Sequence, residues 1–165
     1  MRYQQYSLVI VTAFVLLLSS CAHTPEVNKV SKPARVALLM SKDFNCSIQD
    51  LEEGAQVNTN RDYIFTRVDK ELQANQFIQL RHNLPLPYQV EVIEPGIIYL
   101  LVNPKSQTSK YFKMGWQESD LDVSVNFDIK KFTVFERDAK KGEQYQIPRD
   151  AWISPIIVAS QIELK

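Results

Sequence analysis

Histidine, glycine and cysteine are all scarce in this chain, with two, four and two residues respectively among 165. The histidines, His23 and His82, have no paired ligand spacing, and no H-E-x-x-H, G-x-S-x-G or glycine-rich phosphate loop is present. These absences argue against zinc hydrolysis, serine-nucleophile chemistry and nucleotide handling through a phosphate loop. Two cysteines cannot build a metal site by themselves. Glu118, Asp120 and Asp122 are close enough in sequence for calcium binding or acid/base work. They lie between two predicted strands without a patterned loop glycine, however, and read as a solvated turn. No enzyme, no metal and no small-molecule substrate is expected. Surplus charge is missing too: 19 basic residues face 19 acidic ones, so nothing is available to neutralise a phosphate backbone, and nucleic acid is not an expected partner.

Long apolar runs are absent except at the start. Met1 to Tyr6 carries Arg2 and no acid, and Ser7 to Ser19 contains only apolar, Ser or Thr residues. That is the n-region and h-region of an export signal, and it is shorter than the roughly 18–20 residues a permanent membrane span needs. Leu18-Ser19-Ser20-Cys21 resembles the lipobox read by lipoprotein signal peptidase, with small residues ahead of the thiol that receives the lipid. Cys21 is therefore the expected lipidation site, carrying diacylglycerol and an N-acyl chain such as palmitate; no other cofactor is expected. Ala22 in place of Asp at the next position favours the outer membrane, periplasmic face. Several buried acyl chains, at about 0.8 kcal/mol per methylene, make a firm anchor.

Removing residues 1–20 from the 165 leaves 145, enough for one domain with a real core. Once Cys21 carries lipid, Cys46 is the one remaining cysteine. It reads as a small buried hydrophobe, with an intermolecular disulfide or a reactive thiol as alternatives. Residues 21–33 hold the lipidated cysteine and a flexible tether containing two prolines and no apolar period. At about 3.3 Å per residue the tether reaches some tens of ångströms.

Residues 34–165 read as a two-sheet β-sandwich of about seven or eight strands with one or two short helices. Arg35 to Met40 is an apolar first strand. Asp43 to Asn60 is polar and turn-rich, a long loop in which Ile48 and Leu51 are isolated apolar residues and Ser47 to Glu53 has room for one helical turn. Tyr63 to Val68 is rich in aromatic and β-branched residues and predicts a strand; Asp69 to Asn75 favours a short helix, and Phe77 to Leu80 is ambiguous. Pro85 and Pro87 forbid a regular central element there. Tyr88 to Ile93, Glu94-Pro95-Gly96 and Ile97 to Val102 read as a hairpin. Tyr111 to Trp116 predicts the next strand, with Trp116 in the core. Val123, Val125, Phe127 and Ile129 alternate with polar residues, and Phe132 to Phe135 reads as a bulge, a bend or a new strand. Tyr145 to Pro148 is short, and Ile156 to Leu164 is a final strand. His82 reads as a surface loop residue. Trp152, in a proline-bounded segment, is divided between core packing and a partner contact.

The middle of the chain, Glu91-Val92-Ile93-Glu94-Pro95-Gly96-Ile97 and Tyr111-Phe112-Lys113-Met114-Gly115-Trp116 with Asp120 and Asp122 after it, resembles the TssJ lipoproteins of type VI secretion systems. Asp43-Phe44-Asn45 after the first strand is similar to that family's opening. The family's arginine-containing second strand has no clean counterpart. The resemblance implies a transthyretin-like sandwich that anchors an envelope-spanning secretion complex at the outer membrane. It also implies that the loop after the first strand, through Phe44, Asn45, Ile48 and Leu51, binds the periplasmic part of a TssM-like inner-membrane protein. The alternatives are an adaptor or pilotin lipoprotein of another envelope machine, or a periplasmic lipoprotein that binds peptidoglycan or a small ligand. The last should show a concave pocket with convergent polar groups.

Overall fold

The computed structural model describes residues 32–39, 46–83, 87–150 and 153–165. The export stretch, Cys21, most of the tether, Phe44, Asn45, Pro85 and Trp152 lie outside the described residues. In chain order the elements are β1 (Arg35–Leu39), β2 (Cys46–Asp50), β3 (Gln56–Asn58), β4 (Arg61–Val68), β5 (Gln76–Leu80), β6 (Tyr88–Glu94), β7 (Gly96–Val102), α1 (Ser109–Lys113), β8 (Gln117–Ser119), β9 (Val123–Val125), β10 (Thr133–Ala139), β11 (Gln144–Ile147), β12 (Ile156–Ala159) and β13 (Gln161–Leu164). The fold is an all-β sandwich of two sheets. The smaller runs β11-β6-β1-β13, and the larger β8-β10-β7-β12-β5-β3-β4-β9 with β2 also on β5.

Burial explains the two kinds of strand sequence. In β6, Tyr88, Val90 and Val92 are buried while Gln89 and Glu91 alternate outward, because one face meets the core and the other meets water. On that outer face Arg35 pairs with Glu94 and Glu163, and Lys165 with Glu91. Strand β7 is apolar without interruption because both of its faces are covered. Ile98, Leu100 and Val102 point into the core between the sheets, while Tyr99 and Leu101 enter a second core on the far side. That second core joins Phe65 of β4 and Val123 and Val125 of β9 to Phe77 of β5 and Val158 of β12. The larger sheet therefore curls back over its own outer face.

Several elements differ from the sequence expectations. The predicted hairpin is a crossing between sheets: β6 pairs with β1 and β11, whereas β7 pairs with β10 and β12. The turn residues reverse the chain as their chemistry requires, but the backbone of residues 32–34 lies against Gly96. There Ala34 N–H donates to the Ile97 carbonyl at 2.8 Å and Ile97 N–H to the Lys32 carbonyl at 3.1 Å. A Cβ at Gly96 would sit 2.1 Å from the Lys32 carbonyl oxygen, so only glycine fits. The expected final strand divides likewise. β12 belongs to the larger sheet and β13 to the smaller, with Ser160 N–H and its hydroxyl both donating to the Ala34 carbonyl at the crossing. Tyr88, at the other end of β6, also ties the sheets together. Its buried hydroxyl donates to the Pro155 carbonyl at 2.6 Å and accepts from Ile157 N–H at 3.1 Å; burial pushes its pKa well above the ordinary tyrosine value.

The expected long loop contains β2, which pairs along the whole of β5, and β3. The ambiguous stretch Phe77 to Leu80 thus becomes a central strand with partners on both sides. Asp69 to Asn75 makes turns in place of a helix, with Ala74 at φ 64°. Tyr111 to Trp116 is not a strand but the end of α1 and a turn through Gly115 at φ 84°. Trp116 is nevertheless buried between the sheets, as expected.

Candidate functional site: a cleft around His82

A cleft of about 600 Å³ opens where the ends of several strands meet. Strand alternation places Arg61, Tyr63 and Phe65 on one face of β4. Phe65 fills the second core, and Tyr63 and Arg61 continue that face over the cleft. Across from them, the expected strand Val123 to Ile129 stops at Val125. The Asn126 side chain accepts Ile64 N–H at 2.8 Å in place of a backbone carbonyl, and the chain reverses through Lys130 at φ 57°. This turn brings Phe127 onto Tyr63, with ring centroids 4.2 Å apart and planes inclined by 33°.

His82 stands edge-on to both rings, 5.8 Å from Tyr63 and 6.4 Å from Phe127. It follows the end of β5, where its N–H donates to the Asn60 side-chain oxygen at 2.8 Å. Its place beside prolines predicts a surface loop, yet it is only 7% exposed. The reason is that the Asn58–Asn60 turn packs against the end of β5, with Thr59 N–H donating to the Leu80 carbonyl at 3.2 Å. Both imidazole nitrogens are buried and lack a hydrogen-bond partner among the described residues, as does the Ser106 hydroxyl on the same cleft. Burial, reinforced by the Arg61 guanidinium, lowers the His82 pKa from its ordinary value. At neutral pH its ring is therefore neutral, with one donor and one acceptor.

Asn103 and Lys105 complete the floor and rim. The Asn103 side chain accepts Lys105 N–H at 2.9 Å, and its carbonyl accepts Ser106 N–H at 2.8 Å, which fixes the turn after β7. Asp150 lines the cleft but is engaged from behind by Lys110 at 3.6 Å and the Tyr111 hydroxyl at 3.4 Å.

Of the partner contacts expected from sequence, Ile48 and Leu51 do not line this cleft, while Phe44 and Asn45 lie outside the described residues. Leu51 is fully buried in the second core, so it cannot be an exposed contact for a partner. The isolated apolar residue of a supposed loop is a core residue because β2 and β3 fold that segment onto β5. Ile48 lies within β2, half-buried against the inter-sheet core. Cys46 is also half-buried in β2, and burial raises its thiol pKa. Asp122 is the acid of its trio that forms ion pairs, with Arg67 at 3.2 Å and Lys131 at 3.4 Å. No group of three or more His, Cys, Asp or Glu that could hold a metal ion occurs among the described residues. No described helix is long and apolar enough to cross a membrane.

No protein-family model matches the chain, and no curated protein matches it. Among solved structures it is similar to a β-glucuronidase from glycoside hydrolase family 2. The match has a TM-score of 0.58 and 15% identity, and it covers 72% of this chain and 14% of that one. The likeness concerns the sandwich fold, and this chain corresponds to only that small share of the enzyme's length.

Proposed function

We propose that this protein is a lipid-anchored binding module at the periplasmic face of the outer membrane. In this reading Cys21 carries the lipid and the sandwich holds a small polar ligand in the His82 cleft. The observation that supports it is the imidazole itself, nine-tenths buried on the wall of a 600 Å³ cleft with both nitrogens unsatisfied by described protein groups. Buried polar atoms are rarely left so, and in this reading the ring turns to meet a polar ligand seated in the cleft, which gives one of its nitrogens a partner. The cleft also has the form of small-ligand sites, with an aromatic wall and a few convergent polar groups. The reading is non-catalytic, and it takes the ligand-binding alternative over the adaptor one. Of the contacts that the TssJ resemblance implied, Leu51 is wholly buried and Ile48 is paired within β2. Fold similarity to a glycosidase does not carry a substrate to this chain.

Two measurements test the two halves. Fractionation of cells should find the wild type with the outer membrane and Cys21→Ser in the soluble periplasm; a wild type that stays soluble refutes the anchor. A thermal-shift panel of saccharides, muropeptides and amino acids should contain a compound that raises Tm for the wild type and not for His82→Ala. A stabilisation of about 2.7 kcal/mol is expected at a hundredfold excess over Kd. A panel without any such compound, together with co-purification of an envelope protein that is indifferent to cleft substitutions, would replace this reading with the adaptor.

A further inference from the structure

From the charges and surfaces of the cleft we infer that its ligand is an acidic saccharide, a mono- or disaccharide bearing one carboxylate; this rests on the binding-module reading above. Charge sets the sign. Asp150 is already engaged by Lys110 and Tyr111. Arg61 and Lys105 line the cleft without an ion pair among the described residues, and the one remaining acid on the cleft, Asp128, is likewise outside the ion pairs. Two uncompensated cations against one acid leave room for a single negative charge. A guanidinium and an ammonium at the rim suit a carboxylate, the guanidinium through a two-pronged contact.

The remaining surfaces select a sugar ring to carry that carboxylate. Tyr63 and Phe127 present a half-buried aromatic patch of ring size, against which the C–H face of a pyranose packs. Around it the lining carries neutral hydrogen-bonding residues, with Asn83 at the surface and His82, Asn103 and Ser106 behind it, their polar atoms buried until a ligand seats. Neutral imidazole, hydroxyl and amide each offer donor and acceptor, which is what sugar hydroxyls require. A compact inorganic anion would use the two cations and leave the aromatic patch untouched.

The test compares a glucuronic acid–N-acetylglucosamine disaccharide with its carboxyl-reduced counterpart, in which the acid is glucose, and with inorganic phosphate, by calorimetry on the full-length protein. The acidic disaccharide should bind at least tenfold more tightly than the reduced one, and its affinity should fall as NaCl is raised from low to several hundred millimolar. Arg61→Gln with Lys105→Gln, both exposed positions, should leave thermal stability unchanged and remove most of that preference. Equal binding of the two disaccharides, or binding of phosphate alone, overturns the acidic-saccharide assignment. It also falls if neither disaccharide binds while another panel compound binds in a His82-dependent way. Only the failure of every compound to bind at His82 takes the binding module down with it.

Discussion

Replacing His82 with phenylalanine separates a ligand-binding residue from a packing residue, because the two roles give opposite signs. His82 contributes its ring edge to Tyr63 and Phe127 but buries two nitrogens without a described partner. Leaving a buried polar group unsatisfied costs about 1–3 kcal/mol. A phenyl ring keeps the edge-on aromatic contacts, removes that cost, and has the adjoining cleft to take up its extra volume. His82→Phe should therefore be more stable than the wild type by about 1–3 kcal/mol, or roughly 4–10 °C in Tm for a domain of this size. Ligand binding should fall at least tenfold. Circular dichroism melts and calorimetry read the two quantities.

The same substitution carries a pH signature. Burial, then Arg61, lowers the His82 pKa below 6.5, the ordinary value and that of the unfolded chain. As pH falls below 6.5 the unfolded chain takes up a proton that the folded protein refuses. Wild-type stability should thus decline from pH 6.5 down to the lowered folded pKa and be independent of this group above 6.5. His82→Phe should lose that acid-side decline. A variant that is less stable than wild type, or that binds ligand normally, would refute the reasoning.

Two further substitutions probe the scaffold. Gly96→Ala forces a Cβ onto the backbone of residues 32–34 and should cost about 2–4 kcal/mol by overpacking and by breaking the two hydrogen bonds at that approach. Gly142→Ala, at φ 84° with open space around it where Gly96 stands at φ 157° against backbone, should cost only about 1 kcal/mol by denaturant unfolding; equal costs would mean that the close approach contributes nothing. Tyr88→Phe leaves the Pro155 carbonyl and Ile157 N–H without their partner and should lower stability by about 1–3 kcal/mol, with faster amide exchange at Ile157 than in the wild type.

Alternation and turn chemistry are local properties, and they made the all-β class legible in the chain. Val123 to Val125 and Tyr88 to Val92 alternate visibly, the apolar run Ile97 to Val102 is plainly a strand, and Trp116 is buried whatever element carries it. Which sheet each strand joins was not legible. Pro95 and Gly96 specify a reversal, but whether the next strand pairs beside its predecessor or crosses to the other sheet depends on residues 32–34 and on β10 and β12, far away in sequence. Leu51 looked exposed for the same reason, since its burial comes from the pairing of its segment with β5, some 25 residues on. The cleft is the strongest case. Arg61, Tyr63, His82, Ser106 and Phe127 share no motif or spacing, and His82 sat beside prolines that suggested a solvated loop. They converge because strand pairing brings the ends of β4, β5, β7 and β9 to one place, and pairing is settled by long-range burial of apolar faces, not by the local order of residues.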